Sequence, residues 1–176
     1  MPAATLTPTE DQTFSALVQW IQKVLDIPRT SNQIVKGFQN QVAQPTGSYI
    51  VVSPGIMQRQ DFGQRRYDPA LGLAVQIAHN TYSYQVDCYG PAGPTWASIL
   101  AASWRTMWGV DNIAPDVLTP LYADAPQQLN IANAQGQWEQ RFMIRLFGQV
   151  NQSIGLPQDF FEELDLNSII VADQLP

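Results

Sequence analysis

From about Gln137 to Gln152 the chain alternates. Phe142, Ile144, Leu146, Gly148 and Val150 fall on one phase, and Arg141, Met143, Arg145, Phe147 and Gln149 fall on the other. Successive strand side chains point to opposite faces, so a run this long with little Gly or Pro to break it predicts a long strand with one buried face. Shorter β-prone runs, Ile34-Val35 and Tyr49-Ile50-Val51-Val52, are separated by the turn-forming Gln44-Pro45-Thr46-Gly47 and read as two more strands. Leu71, Leu73, Val75 and Ile77 also alternate, but after His79-Asn80-Thr81 the apolar phase moves to Tyr82, Tyr84, Val86 and Cys88. A shift of one residue turns every side chain to the other face, so the triplet is expected to be a hairpin turn or a bulge.

Two helices complete the pattern. Thr7-Pro8-Thr9-Glu10 has the form of a capping box with Thr7 as N-cap. Phe14, Leu17, Val18, Ile21, Val24 and Leu25 follow at helical spacing, and Pro28 disfavours continuation. A second helix is expected near Thr95, carrying Trp96, Ile99, Leu100, Trp104, Met107 and Trp108 on one broad face. Residues 111 to 137, punctuated by Pro115, Pro120 and Pro126, read as a long irregular connection. The expected fold is α+β and α/β sandwich-like: a mixed, mostly antiparallel β-sheet packed with two main helices. Residues 1–176 are expected to form a single domain, with an N-terminal arm (1–7), an extended loop or loosely held hairpin arm (54–69) and an acidic C-terminal segment (153–176). No repeat or linker interrupts it.

A chain of 176 residues can bury about 70% of its unfolded surface without a metal or a disulfide. Only 14% of residues are charged, against about 25% in an average domain, and 21 are glutamine. Neutral amides cost less to desolvate than charges, which suits a subunit that buries its outside against neighbours. The net charge of −6 has the wrong sign for wrapping a phosphate backbone. That charge resides in the second half, since residues 1–88 hold six bases and six acids while 89–176 hold three bases and nine acids. Cys88 has no internal partner for a disulfide, no leader is apparent, and no apolar run approaches a membrane span. Synthesis and folding in a reducing cytoplasm follow as the expectation.

Chemistry is sparse. The one histidine, His79, sits beside turn-like residues and not in a nucleophile elbow, so a turn or strand-end role is favoured over a catalytic one. Cys88 lies in the phase of Tyr84 and Val86 and reads as a buried small hydrophobe. No cluster with metal-ligand spacing and no phosphate loop stands out. Catalytic residues, cofactor-binding residues and metal ligands are all expected to be absent. Arg59, Arg65 and Arg66, interleaved with Asp61 and Asp68, read as a solvated loop with local ion pairs in preference to a phosphate-contacting patch, with a loop making subunit contacts open as well. Five tryptophans are many for this length, and although the 96, 104, 108 stripe reads as core, part of that face is open to a neighbour. The candidate interface residues are Arg59, Arg65, Arg66, Tyr49, Trp96 and Trp138.

Three ordered blocks resemble the tail-terminator or neck-terminator proteins of tailed bacteriophages, particularly contractile-tailed ones. The first is Val35-Lys36-Gly37-Phe38-Gln39-Asn40-Gln41 leading into Tyr49-Ile50-Val51-Val52, and the second is Tyr84-Gln85-Val86-Asp87-Cys88-Tyr89-Gly90-Pro91 followed by Trp96-Ala97. The third runs from Pro120-Leu121-Tyr122 through Asp124-Ala125-Pro126-Gln127-Gln128-Leu129 to Gln137-Trp138-Glu139-Gln140-Arg141-Phe142 and Gln149-Val150-Asn151. The blocks span roughly residues 10 to 173, and residues 54 to 80 carry least of the likeness. The resemblance implies a non-enzymatic virion protein forming a ring, expected to be hexameric, on the head-proximal end of the tail tube. It implies as partners the tail tube protein, the head-tail connector or adaptor and the tail sheath, with genomic DNA passing through the lumen unbound and no membrane involved. The long strand and the 48–53 run are expected to supply an edge for sheet extension between subunits. Alternatives are a head-completion, tube-initiator or baseplate component, or a small hydrolase or ligand-binding domain using His79 with Asp87 or Asp68.

Overall fold

The computed structural model describes residues 4–38, 45–60, 63–68, 72–132 and 138–157. Along the chain these form β1 (Thr5–Thr7), α1 (Glu10–Leu25), β2 (Ile34–Lys36), β3 (Tyr49–Arg59), β4 (Gln64–Asp68) and β5 (Leu73–Tyr89). Then follow α2 (Gly93–Trp104), α3 (Met107–Asp111), β6 (Thr119–Ala123), β7 (Gln127–Ala132) and β8 (Trp138–Pro157). The class is α+β as expected: among the described residues eight strands share one sheet, in which β2 and β3 run parallel and the other pairs antiparallel.

The frame is the pairing of β5 with β8, which runs without a register shift from Leu73 opposite Pro157 to Tyr89 opposite Arg141. At about 3.3 Å per residue, β8 alone spans roughly 65 Å. Beyond β5 lie β3 and β4, each paired to a different part of it, and β2 continues outward from β3. On the other side of β8, β7, β6 and β1 pair with it one after another along its length.

Unbroken pairing corrects the reading of His79-Asn80-Thr81 as a turn or bulge, because all three are interior to β5. The buried phase is the even one throughout, from Ala74, Ala78 and Asn80 to Tyr84, Val86 and Cys88. Leu73, Val75 and Ile77 therefore stand half-buried on the opposite face, and Leu71 lies outside the described residues.

The first helix starts two residues later than expected. Thr9 is the N-cap: its hydroxyl accepts from the Gln12 amide at 3.3 Å, while the Gln12 side chain accepts from the Thr9 amide at 2.8 Å. Thr7 belongs instead to β1, where it pairs with Ser153, so the expected N-terminal arm contributes a strand. Asp26, in the left-handed region at φ 52°, closes α1 ahead of Pro28. The second helix ends at Trp104, and Thr106 caps a separate short α3 by accepting from the Gly109 amide at 3.1 Å. Met107 and Trp108 are accordingly turned away from the core and exposed.

One face of the sheet meets the helices. Leu17, Trp20 and Ile21 of α1 and Ala97, Leu100 and Trp104 of α2 close over Ile50, Val52, Tyr84, Val86, Cys88, Ile144, Leu146 and Val150. Trp20 and Trp104 meet edge to face, 4.8 Å between ring centres, and each buried indole N–H is satisfied, Trp20 donating to the Gly109 carbonyl and Trp104 to the Phe147 carbonyl. Gly148 occupies a buried position of β8 because Leu118 fills the space a side chain would need: a Cβ there would stand 2.5 Å from Leu118 Cδ1. The core cluster includes no residue of β4, of β5 before Tyr82 or of β8 beyond Val150. The sheet outruns its helical cover as a projecting arm.

Candidate assembly surfaces

The arm is built from the distal part of β3, β4, the first part of β5, the end of β8 and β1. Register places Tyr67 beside Ala74 and Leu156, and Arg65 beside Gln76, Ile154 and Leu6. These rows share the face that is covered by helices elsewhere. Here Tyr67, Leu156 and Leu6 are exposed, as are Ile56 and Met57 where β3 shifts register between Pro54 and Met57. Of the two expectations for 54–69, the described residues are largely strand, as a hairpin arm requires, and not extended loop; their polar side chains follow from exposure of both faces. Asp61 lies outside the described residues, as do 39–44 and 133–137 and the acidic residues of 158–176; the expected C-terminal segment begins inside β8.

A second exposed region lies on the opposite side of β8, where α3 packs against β6. Met107 and Trp108 project from α3, and Leu121 and Tyr122 from β6, with Tyr122 stacked on Phe147 at 4.3 Å. Residues 106–140 hold Asp111, Asp116, Asp124 and Glu139 and no base. Asp124 is joined to Arg145 at 3.6 Å, while Asp111 and Asp116 are exposed.

Of the candidate interface residues, Arg59, Arg65 and Arg66 all stand exposed on the arm, with the adjacent Arg65 and Arg66 on opposite faces. Trp138, 79% exposed, stands at the start of β8. Trp96 is half-buried against the core, and Tyr49, 5% exposed, is an internal residue of the isolated chain. Tyr49 stacks on Tyr89 at 4.6 Å, and its hydroxyl donates to Glu139 Oε1 at 3.4 Å. Beside them lies a buried ion pair in which Asp87 Oδ1 accepts from Arg141 Nε at 2.9 Å and Asp87 Oδ2 from the Gln85 amide at 2.8 Å. That hydrogen bond raises the guanidinium pKa, and burial raises the Tyr89 phenol.

The expected sheet edges are corrected too. β8 is paired on both sides, and the 49–53 run is flanked by β5 and β2, so neither is an edge. The outermost strands among those described are β2, distal β3 and β4 on one side and β7, β6 and β1 on the other. The exposed apolar residues of arm and rim escaped the sequence reading, although two signals were present. Ile56-Met57 interrupts a polar segment, and Thr106 is a helix-capping residue inside what had read as one helix.

The geometry does not assemble a hydrolytic dyad. His79 and Asp87 stand eight residues apart on one straight strand, about 27 Å, and Asp68 is paired six residues from His79, about 20 Å away. His79 Nδ1 instead lies 2.8 Å from Asn151 Oδ1 on β8. Burial, with Asp87 adding to it, pushes the Cys88 thiol up to about 12, far from a reactive thiolate. Among the described residues no three His, Cys, Asp or Glu converge as metal ligands, and no helix is long and apolar enough to cross a membrane. An open groove of about 620 Å³ between α1 and residues 111–117 is lined by Gln12, Ser15, Gln19 and Lys23 facing Asn112 and Ala114.

A family model described as phage neck terminator protein matches residues 11–172, nearly the whole chain. Among curated proteins none matches it.

Proposed function

Because the chain belongs to the phage neck terminator family, a family of structural neck proteins, we propose that it forms a hexameric ring on the head-proximal end of the tail tube. There it ends tube polymerisation and carries the surface to which the head connector attaches, while genomic DNA passes through the central hole. The observation that carries this reading is the sheet that outruns its own core. A subunit that leaves Ile56, Met57, Tyr67 and Leu156 on an arm, and Met107, Trp108 and Trp138 elsewhere, presents apolar surface in several directions. A ring member needs surfaces of that kind for two neighbours and for the layers above and below. The net charge of −6 suits a lumen through which DNA slides without sticking.

The test combines purified chain with tube protein. Mass measurement is expected to give six copies, and electron microscopy is expected to show tubes capped at one end that no longer elongate. A chain that stays monomeric, leaves tube growth unchanged and is absent from neck density in the virion would overturn the proposal. Density at the baseplate end would assign it instead to initiation.

A further inference from the structure

We propose that the arm of one copy docks on the rim formed by α3 and β6 of the next copy, a head-to-tail contact. The inference rests on the ring reading and names the surfaces that make it. Residues 54–68 carry three arginines against two aspartates in a chain whose net charge is −6, so the arm is locally basic. The rim offers opposite charge in Asp111 and Asp116, both exposed, although Lys23 of α1 lines the groove beside Asp111 and Arg105 precedes α3. Both regions also expose apolar side chains: Tyr67, Leu156 and Met57 on the arm, and Met107, Trp108 and Leu121 on the rim. Apolar residues ringed by charges of opposite sign on two surfaces are what a specific interface needs, the apolar part for affinity and the charges for register.

Geometry sets the contact as heterologous. The β4 part of the arm, with Tyr67, and the rim belong to opposite sides of the β5–β8 pair, since β3 and β4 extend the sheet past β5 while β6 pairs with the far side of β8; β1 completes the arm on the β6 side, beyond the end of β6 along β8. One copy therefore presents its arm to one neighbour and its rim to another. Contacts of this kind close into rings or run on as filaments, whereas a two-fold dimer would use one surface twice. The arm is extended strand with little helical cover, so it reaches a neighbour without the body having to change shape.

The experiment uses full-length chain. Reversing the arm (Arg65→Asp with Arg66→Asp) or the rim (Asp111→Lys with Asp116→Lys) is expected to raise the dissociation constant of self-assembly about tenfold or more by sedimentation, since like charges then face each other. Combining all four changes in one chain is expected to restore assembly. In a second arm, Tyr67→Cys chain is mixed with Leu121→Cys chain and treated with a short bismaleimide, Cys88 being buried and unreactive. Cross-linked dimers are expected in the mixture and in neither variant alone. Wild type that assembles while the reversals change nothing and the mixture fails to cross-link would overturn the docking and leave the ring standing. Tyr67→Cys chain that cross-links to itself would replace it with an arm-to-arm contact. Wild type that does not assemble would remove the ring reading, and this contact with it.

Discussion

Removing Arg141 would leave a carboxylate stranded. Asp87 is 3% exposed and has two partners, Arg141 Nε at 2.9 Å and the Gln85 amide at 2.8 Å, so Arg141→Met takes away its cation but keeps one hydrogen bond. Breaking a buried pair from one side costs about 3–5 kcal/mol. Here the arginine side chain is itself 23% exposed, so water can reach the vacated site, and with Gln85 still donating the expected loss is about 2–3 kcal/mol. Asp87→Val is milder, about 1–2 kcal/mol, because the guanidinium can turn toward solvent. The two together replace the pair with apolar side chains in a row where Val51 and Met143 flank position 87, and the double variant should lie within about 1 kcal/mol of wild type. Urea titration followed by tryptophan fluorescence on all four chains gives the cycle. The reasoning is refuted if Arg141→Met costs under about 1 kcal/mol or if the double variant costs the sum of the two singles.

Three further outcomes follow from buried and exposed side chains elsewhere in the fold. Among the described residues the buried Tyr84 hydroxyl makes no hydrogen bond of good geometry, since the Thr13 hydroxyl beside it donates to the Glu10 carbonyl. Tyr84→Phe should therefore be neutral or stabilising by up to about 1 kcal/mol in thermal unfolding. Alkali should destabilise the fold: Cys88 rises from 9.0 to about 12 on burial, so the folded state holds its proton more tightly and stability is intact below about pH 9 and lost as pH climbs toward 12. Cys88→Ala, though less stable at pH 7, should show a shallower decline over that window in denaturant midpoints. Trp138→Ser, at a position 79% exposed, should shift folding stability by no more than about 0.5 kcal/mol, read from the melting temperature.

Much of the sheet was legible in the residues, because the alternation of Phe142, Ile144, Leu146 and Val150 against Arg141, Met143 and Arg145 has one buried face over its whole length. The phase of Leu73, Val75 and Ile77 was not, for a physical reason. Those residues belong to the arm, where no helical layer decides which face is inside, and continuous pairing with β8 left small Ala74 and Ala78 on the buried phase. β6 was hidden by Pro120, which a central strand excludes but an outermost one tolerates. Of the candidate interface residues, the arginines and Trp138 were readable as surface from polarity or position. Tyr49 was not, since its burial depends on stacking with Tyr89, a partner forty residues along that only the β3–β5 register brings beside it.

The long pairing of β5 with β8 also dictates how the chain must fold. Among the described strands every partner of β8 precedes it, from Thr5 of β1 to Ala132 of β7, so the central strand is made after all of them. Until residues 138–157 leave the ribosome, β5 lacks one neighbour and β1, β6 and β7 lack their shared partner. Contacts so distant in sequence make for slow folding, on the order of milliseconds to seconds. The cost in rate brings a safeguard. Partial chains cannot complete the sheet, and a product stopping before Trp138 would have neither the arm nor the rim in place, so only a chain that has made β8 can present the proposed contact.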